Sequence, residues 1–274
     1  MKTLRTVAEV RQHLGPIRRD AIIGLAPTMG ALHDGHVALF RAARAQCRHV
    51  VATIFVNPGQ FNDPADLAAY PRQEPRDLEI AAAAGVDAIF VPAIDEIYPA
   101  GDATAIVAQG AALGFEGDFR PGHFNSVATV CLKLFNIVKP DVAYFGQKDA
   151  QQVAVIRQSI RDLHVDLRVE VVATVRDTDG LALSSRNSLL SADERRRALA
   201  IPRGLSAGLA AHAAGADPVA AARAEMAGLE IDYIEVAGFD GQPSLVVAAR
   251  SGRTRLIDNV PLDRPALAGL RLKD

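Results

Sequence analysis

Five short apolar runs, at 21–25, 50–56, 88–91, 141–145 and 169–172, punctuate the first two thirds of the chain, and several are rich in Val and Ile. Runs this short, apolar at nearly every position, fit strands buried on both faces of a parallel sheet. Between them, apolar residues recur at helical spacing over 6–14, 36–47, 76–84, 126–137 and 150–163. Strands alternating with helices predict an α/β fold, a Rossmann-like doubly wound parallel sheet. Its ligands would gather where strand carboxyl ends turn into helices.

The rhythm changes after Arg186. "SADE" at 191–194 reads as a capping box, Ser191 as N-cap and Glu194 three residues on, opening a helix to about 209. Asp217-Pro218 reads as an N-cap followed by proline in the first helical position. The segments 231–236, 244–249 and 254–257 are near enough in sequence to pair antiparallel, with Ser251-Gly252 as a turn. A second, smaller α+β domain is therefore expected, joined near 177–186, so that the domains run 1–180 and 181–274.

Composition narrows the partners. With 49% hydrophobic residues over 274 positions the chain has ample core. A net charge of -2 without long like-charge runs argues against a nucleic-acid or membrane-surface partner. The N-terminal "MKTLRTVAEVRQHLG" has no apolar signal core, and no stretch approaches the ~18 apolar residues of a membrane span. Cys47 and Cys131 fall in apolar helical patterns and read as buried free thiols, which suits a reducing compartment. A cytoplasmic protein is expected.

The chemistry concentrates at predicted strand ends. "APTMGALHDGH" at 26–36 follows the first apolar run and precedes a helix. A helix N-terminus offers free N–H groups and a positive dipole end to a phosphate, and Gly30 and Gly35 would let a ligand come close. His33 and His36 could both donate to phosphate oxygens, or one of them caps the turn and the other faces solvent. "YFGQKD" at 144–149 puts Lys148 within reach of phosphate, with Asp149 and Gln152 as a possible capping pair; Lys148 could equally be a solvated surface cation. "LALSSRNS" at 181–188 offers two hydroxyls and an arginine for a triphosphate, or is an ordinary polar linker. In "FVNPGQF" at 55–61, Asn57 and Gln60 could hold a small polar substrate, or the segment is a proline turn with exposed amides. "RPGHF" at 120–124 carries Arg120 and His123, and a surface turn accounts for it equally well.

Taken together, "PTMGALHDGH", "IFVNPGQF", "YPR", "RPGHF", "VATV", "DVAYFGQKDAQQ", "TVRDTDGLALSSRN" and "TRLIDN" resemble the pantothenate synthetase (pantoate–β-alanine ligase) family, within the wider His-x-Gly-His nucleotidyltransferases. They occur in the family's order from residue 26 to 259. The resemblance implies that pantoate attacks the α-phosphate of ATP to give pantoyl adenylate and pyrophosphate, and that β-alanine then displaces AMP to give pantothenate. It further implies Mg²⁺ with ATP as co-substrate, a Rossmann-like catalytic domain, a smaller lid domain and a homodimer. Met29, Gly30, Ala31, Leu32, His33, Asp34, Gly35 and His36 match the first ATP-binding segment, with His36 at the proton donor's position. Gly146, Gln147, Lys148, Asp149, Val175, Leu183, Ser184, Ser185 and Arg186 match the remaining ATP contacts. Gln60 and Gln152 match the amides that hold pantoate, Gln60 also facing β-alanine.

Catalysis of adenylation needs preorganised donors where charge develops on the leaving pyrophosphate. His33, His36, Lys148, Ser184, Ser185 and Arg186 are the catalytic candidates. Mg²⁺ would bridge phosphate oxygens and keep waters, so no carboxylate cage is required; Asp77 is a weak metal candidate. Departures from the family pattern are Gln147 for the usual Glu, Ala150 for an aromatic, Leu183 for Met, and Ala65 where an acid is common. Two other readings stay open: a nucleotidyltransferase that leaves the nucleotide on its product, and a nucleotide-binding module without turnover.

Overall fold

The computed structural model describes residues 1–239 and 241–270. The chain forms two compact units, which interleave in sequence: the first comprises Met1–Leu32, His36–Phe145 and Gln151–Val171, the second His33–Gly35, Gly146–Ala150 and the residues from Val172 onward.

Elements β1 (Lys2–Leu4), α1 (Val7–Ile17), β2 (Ile23–Ala26), α2 (Asp34–Gln46), β3 (His49–Thr53), α3 (Pro64–Ala69), α4 (Glu74–Ala83) and β4 (Ala88–Phe90) come first. They are followed by α5 (Ile94–Ile97), α6 (Glu116–Phe119), α7 (His123–Val138), β5 (Val142–Gly146), α8 (Ala150–Asp162) and β6 (Arg168–Val172). The strands form a six-stranded sheet in the order β1-β4-β3-β2-β5-β6, parallel at the β1–β4, β4–β3, β3–β2 and β2–β5 pairings. Chain order reverses at β2, which has β3 on one side and β5 on the other. Its carboxyl end, where residues 27–36 begin, is thus the switch point at which such sheets bind ligands. All four β2 residues are buried, as the unbroken apolar run predicts. Leu25, Val51, Phe90, Phe135 and Ile156 belong to the core of this unit. β1 gives no signal in the sequence, because three residues are too few to show a period.

The second unit contains α9 (Ala192–Ala198), α10 (Ala200–Ala213), α11 (Pro218–Glu225), β7 (Glu230–Phe239), β8 (Gln242–Ser251) and β9 (Thr254–Pro261). The strands form an antiparallel sheet, β7-β8-β9. Both caps form as predicted: Ser191 and Glu194 make the reciprocal box, and the Asp217 side chain accepts from Val219 and Ala220. The helix expected to run unbroken to about 209 is instead interrupted at Leu199. Pro202 has no N–H for the carbonyl four residues back, so the ladder breaks one turn upstream. Leu205, Met226, Leu245, Val247 and Leu256 pack in its core. Among the described residues no helix is long and apolar enough to cross a membrane. Cys47 and Cys131 are buried and free, and burial pushes the Cys131 thiol up to about 12.

Candidate active site

In the first unit, the turn after β2 is tied down by its own side chains. The Thr28 N–H donates to Thr53 Oγ1 at 3.1 Å, the Thr28 hydroxyl donates to the Thr53 carbonyl, and Gly30 N–H donates to Thr28 Oγ1 at 3.2 Å. Asp77 of α4 then receives the N–H of Ala31 at 2.9 Å and of Leu32 at 2.8 Å, one on each carboxylate oxygen. Gly30 has φ +80°, and a Cβ there would lie 2.9 Å from Asp77 Oδ2 and 3.0 Å from Ile54 Cγ2. The glycine therefore admits the protein's own carboxylate. Asp77 is 1% exposed, and both its oxygens are committed to backbone. It braces the turn through both oxygens. Among the described residues no cluster of three or more His, Cys, Asp or Glu is arranged to hold a metal ion. His36 is the third residue of α2, half-buried in its first turn.

Gln60 sits in a 3-10 turn, Pro58–Gln60, after β3. Asn57 Nδ2 donates to Gln60 Oε1 at 3.1 Å and to the Ser126 carbonyl at 3.3 Å, while Asn57 Oδ1 accepts from the Tyr98 hydroxyl at 2.8 Å. Asn57, 1% exposed, thus spends its amide on the protein. It is not placed as a substrate donor; it orients Gln60. Gln60 Nε2 lies 3.1 Å from Met29 Sδ, joining the Gln60 turn to the 27–32 turn. The Gln60 carbonyl accepts from His123 Nδ1 at 2.9 Å and from Arg120 Nη2 at 3.1 Å. A carbonyl only accepts, so His123 carries its proton on Nδ1, leaving Nε2 to accept from Arg120 Nη1 at 3.1 Å. "RPGHF" is therefore no mere surface turn: it holds the backbone of Gln60. Gln152 is half-buried near the start of α8, whereas its neighbour Gln151 is spent on the Glu116 N–H and the carbonyls of Ala111, Leu113 and Gly114.

The second unit assembles the phosphate-type donors. His33 Nδ1 accepts from the Gly35 N–H at 3.1 Å, which places the neutral ring's proton on Nε2. A Cβ on Gly35 would lie 2.8 Å from His33 Cε1, so only glycine lets the ring fold back. Burial, with a smaller contribution from Lys148, holds His33 below the ordinary imidazole range, against opposing pulls from Asp34 and Asp149. Lys148 lies in the 3-10 turn Gln147–Asp149, its Nζ 3.5 Å from Asp149 Oδ1. Asp149 ends that turn, immediately before α8, and pairs with Lys148. Ser184 caps the 3-10 helix Ser185–Leu189 by accepting from the Arg186 N–H at 3.3 Å. Lys148, Ser184, Arg186, Asn187, Arg255 and Asp258 line one pocket. Leu183 N–H donates to the Val175 carbonyl at 2.9 Å, closing the 175–183 hairpin that carries the serine loop. Sequence reasoning does not single out Asn187, Arg255 and Asp258. The "TRLIDN" stretch marks the last two by resemblance alone, because nothing in their spacing ties them to Lys148.

Residues 2–261 match the Pantoate-beta-alanine ligase family model. A pantothenate synthetase of Moorella thermoacetica is 46% identical over 280 residues, covering 96% of this chain and 99% of its own. One from Mycolicibacterium smegmatis is 50% identical over 260 residues, covering 90% of this chain and 83% of its own. The crystal structure of pantothenate synthetase from Thermus thermophilus matches with a TM-score of 0.90 at 40% identity, covering 96% of this chain and 99% of its own. That of pantoate-beta-alanine ligase from Francisella tularensis, complexed with Beta-gamma ATP and Beta-alanine, matches with a TM-score of 0.81 at 33% identity, covering 96% of this chain and 98% of its own. A match that spans nearly the whole sequence, with relatives this similar along their full length, places the chain in the pantoate–beta-alanine ligase family.

Proposed function

We propose that the chain condenses pantoate with β-alanine to pantothenate at the expense of ATP, through a pantoyl adenylate. The observation that carries this reading is the pocket lined by Lys148, Ser184 and Arg186, three phosphate-type donors brought together from two distant stretches of sequence. The Francisella relative's complex with Beta-gamma ATP and Beta-alanine supports the same substrates.

In this reading Met29, Gly30, Ala31, Leu32, His33, Asp34, Gly35 and His36, with Gly146, Gln147, Lys148, Asp149, Val175 and Leu183, hold ATP. His33 Nε2–H, His36, Lys148, Ser184, Ser185 and Arg186 donate to the phosphates, where preorganised donors stabilise the charge that builds on departing pyrophosphate. Gln60 and Gln152 hold pantoate, and Gln60 also meets β-alanine. A pantoate carboxylate oxygen attacks the α-phosphorus and the bond to the β-phosphate breaks. The amine of β-alanine then attacks the acyl carbon, AMP leaves with that oxygen, and the amine gives up a proton. Mg²⁺ enters as part of the MgATP substrate. Residues 1–180 act as the catalytic domain and 181–274 as the lid, in a cytoplasmic homodimer.

Pantoate labelled with heavy oxygen in its carboxylate tests the route. Labelled AMP, unlabelled pyrophosphate and an amide product are expected. ADP with labelled inorganic phosphate would replace the adenylate by an acyl phosphate. A nucleotide retained on the product, with no amide, would instead favour a nucleotidyltransferase.

A further inference from the structure

Two consecutive residues of β9 reach both halves of the phosphate pocket. Asn259 Nδ2 donates to the carbonyls of Gln147 and Lys148, each at 2.9 Å, and Asn259 Oδ1 accepts from Gln147 Nε2 at 2.9 Å. Both N–H groups and the oxygen of this amide are thereby used. Exchanging its O and N would set oxygen against two carbonyls and an amine against an amine, so the orientation is determined. Asn259 is 2% exposed and Gln147 is buried. Next to it, Asp258 accepts from Arg176 Nη1 at 2.6 Å and Nη2 at 3.1 Å, a pair whose side chains are both buried. Arg176 bridges to Ala182 across the hairpin that leads into Ser184. The Asn259 N–H closes the chain by donating to Asp258 Oδ1 at 2.8 Å.

We propose that Asn259 is a positioning residue for adenylation, one that touches no substrate and acts by fixing the backbone from which Lys148 reaches the triphosphate. This rests on the function proposed above. A lysine is a point charge on a flexible stem, so its aim depends on how firmly its own backbone is held. The carbonyl of Lys148 and the one before it are both clamped by a buried, fully satisfied amide. The same strand holds the Ser184 loop through Asp258 and Arg176. Preorganised donors of this kind lose effect when their supporting contacts loosen.

The test is a double-mutant cycle on the whole chain, read by pantoate-dependent ATP–pyrophosphate exchange below the unfolding temperature of every variant. Asn259→Ala should slow exchange roughly ten- to a hundredfold with Lys148 present, the scale of a misplaced reacting group. In a Lys148→Ala background the same change should cost less than about twofold, because the group it aims is gone. Gln147→Ala, which leaves β9 intact and removes only the bond to Asn259 Oδ1, should show the same dependence at smaller amplitude. Equal losses in both backgrounds, or exchange by Asn259→Ala within about twofold of wild type, would overturn the role. A wild-type chain without any exchange would overturn the proposed function and this role together. An exchanging wild type with an additive cycle would remove this role alone.

Discussion

Asn57 donates its side-chain amide to Gln60 Oε1 at 3.1 Å, so the two amides of "FVNPGQF" work in series. Gln60→Ala should therefore weaken use of pantoate and β-alanine by about 1–2 kcal/mol, roughly five- to thirtyfold, with ATP affinity little changed. Asn57→Ala should shift the same two substrates in the same direction. It should also lower folding stability by about 1–3 kcal/mol, because the Tyr98 hydroxyl, Gln60 Oε1 and the Ser126 carbonyl lose a partner. Substrate titrations and denaturant melts on both variants check this. An Asn57→Ala chain with weakened ATP use and unchanged pantoate use would contradict the arrangement.

Asp77 offers a choice between metal and scaffold. Asp77→Asn keeps the shape but leaves one of the Ala31 and Leu32 N–H groups facing an amine. A loss of about 1–3 kcal/mol of stability is expected, together with a weaker ATP interaction. The Mg²⁺ concentration giving half-maximal activity should stay at the wild-type value. A large rise in that concentration, in a variant of normal stability, would return Asp77 to the metal.

His36→Ala should slow pantoate-dependent pyrophosphate exchange roughly a hundred- to a thousandfold, the cost of removing one donor to developing charge. Circular dichroism should show an intact fold, since His36 lies in the first turn of a helix that other residues hold in place. Exchange within a few-fold of wild type would remove it from the chemistry.

His13 of α1 and His49 of β3 face each other with ring centroids 5.3 Å apart, and the Nε2 atoms of both are buried without a hydrogen-bond partner. Burial lowers both pKa values below the ordinary 6.5; Lys2 lowers His13 further, Asp87 opposes the shift in both, and Arg44 adds to it at His49. Because the folded state favours the neutral rings, their contribution to stability is complete above pH 6.5. It is lost as pH falls through the depressed folded values, where the unfolded chain takes up protons first. Melting temperatures measured from neutral to mildly acid pH should fall on the acid side. Replacing His13 by Leu should flatten that fall; a slope identical to wild type would mean the acid sensitivity lies elsewhere.

Local chemistry was legible without the fold. Ser191 with Glu194 and Asp217 with Pro218 cap helices within a few residues of themselves, and the short apolar runs that became β2 to β6, alternating with helical spacing, announce a parallel sheet. The glycines and histidines of 26–36 marked the strand-to-helix turn, and the ordered motifs pointed to the family. What no spacing revealed is which side chains serve the site from behind. Asp77 meets Ala31 from 46 positions away, His123 meets the Gln60 carbonyl from 63, and Asn259 meets the Lys148 carbonyl from 111. Such pairs have no periodic signature. An Asp, His or Asn in sequence reads as a candidate for substrate or metal until the fold shows that its lone pairs and protons are already spent on backbone. Packing in three dimensions made that assignment, because an unpaired buried N–H or carbonyl costs more than a polar side chain given up to satisfy it.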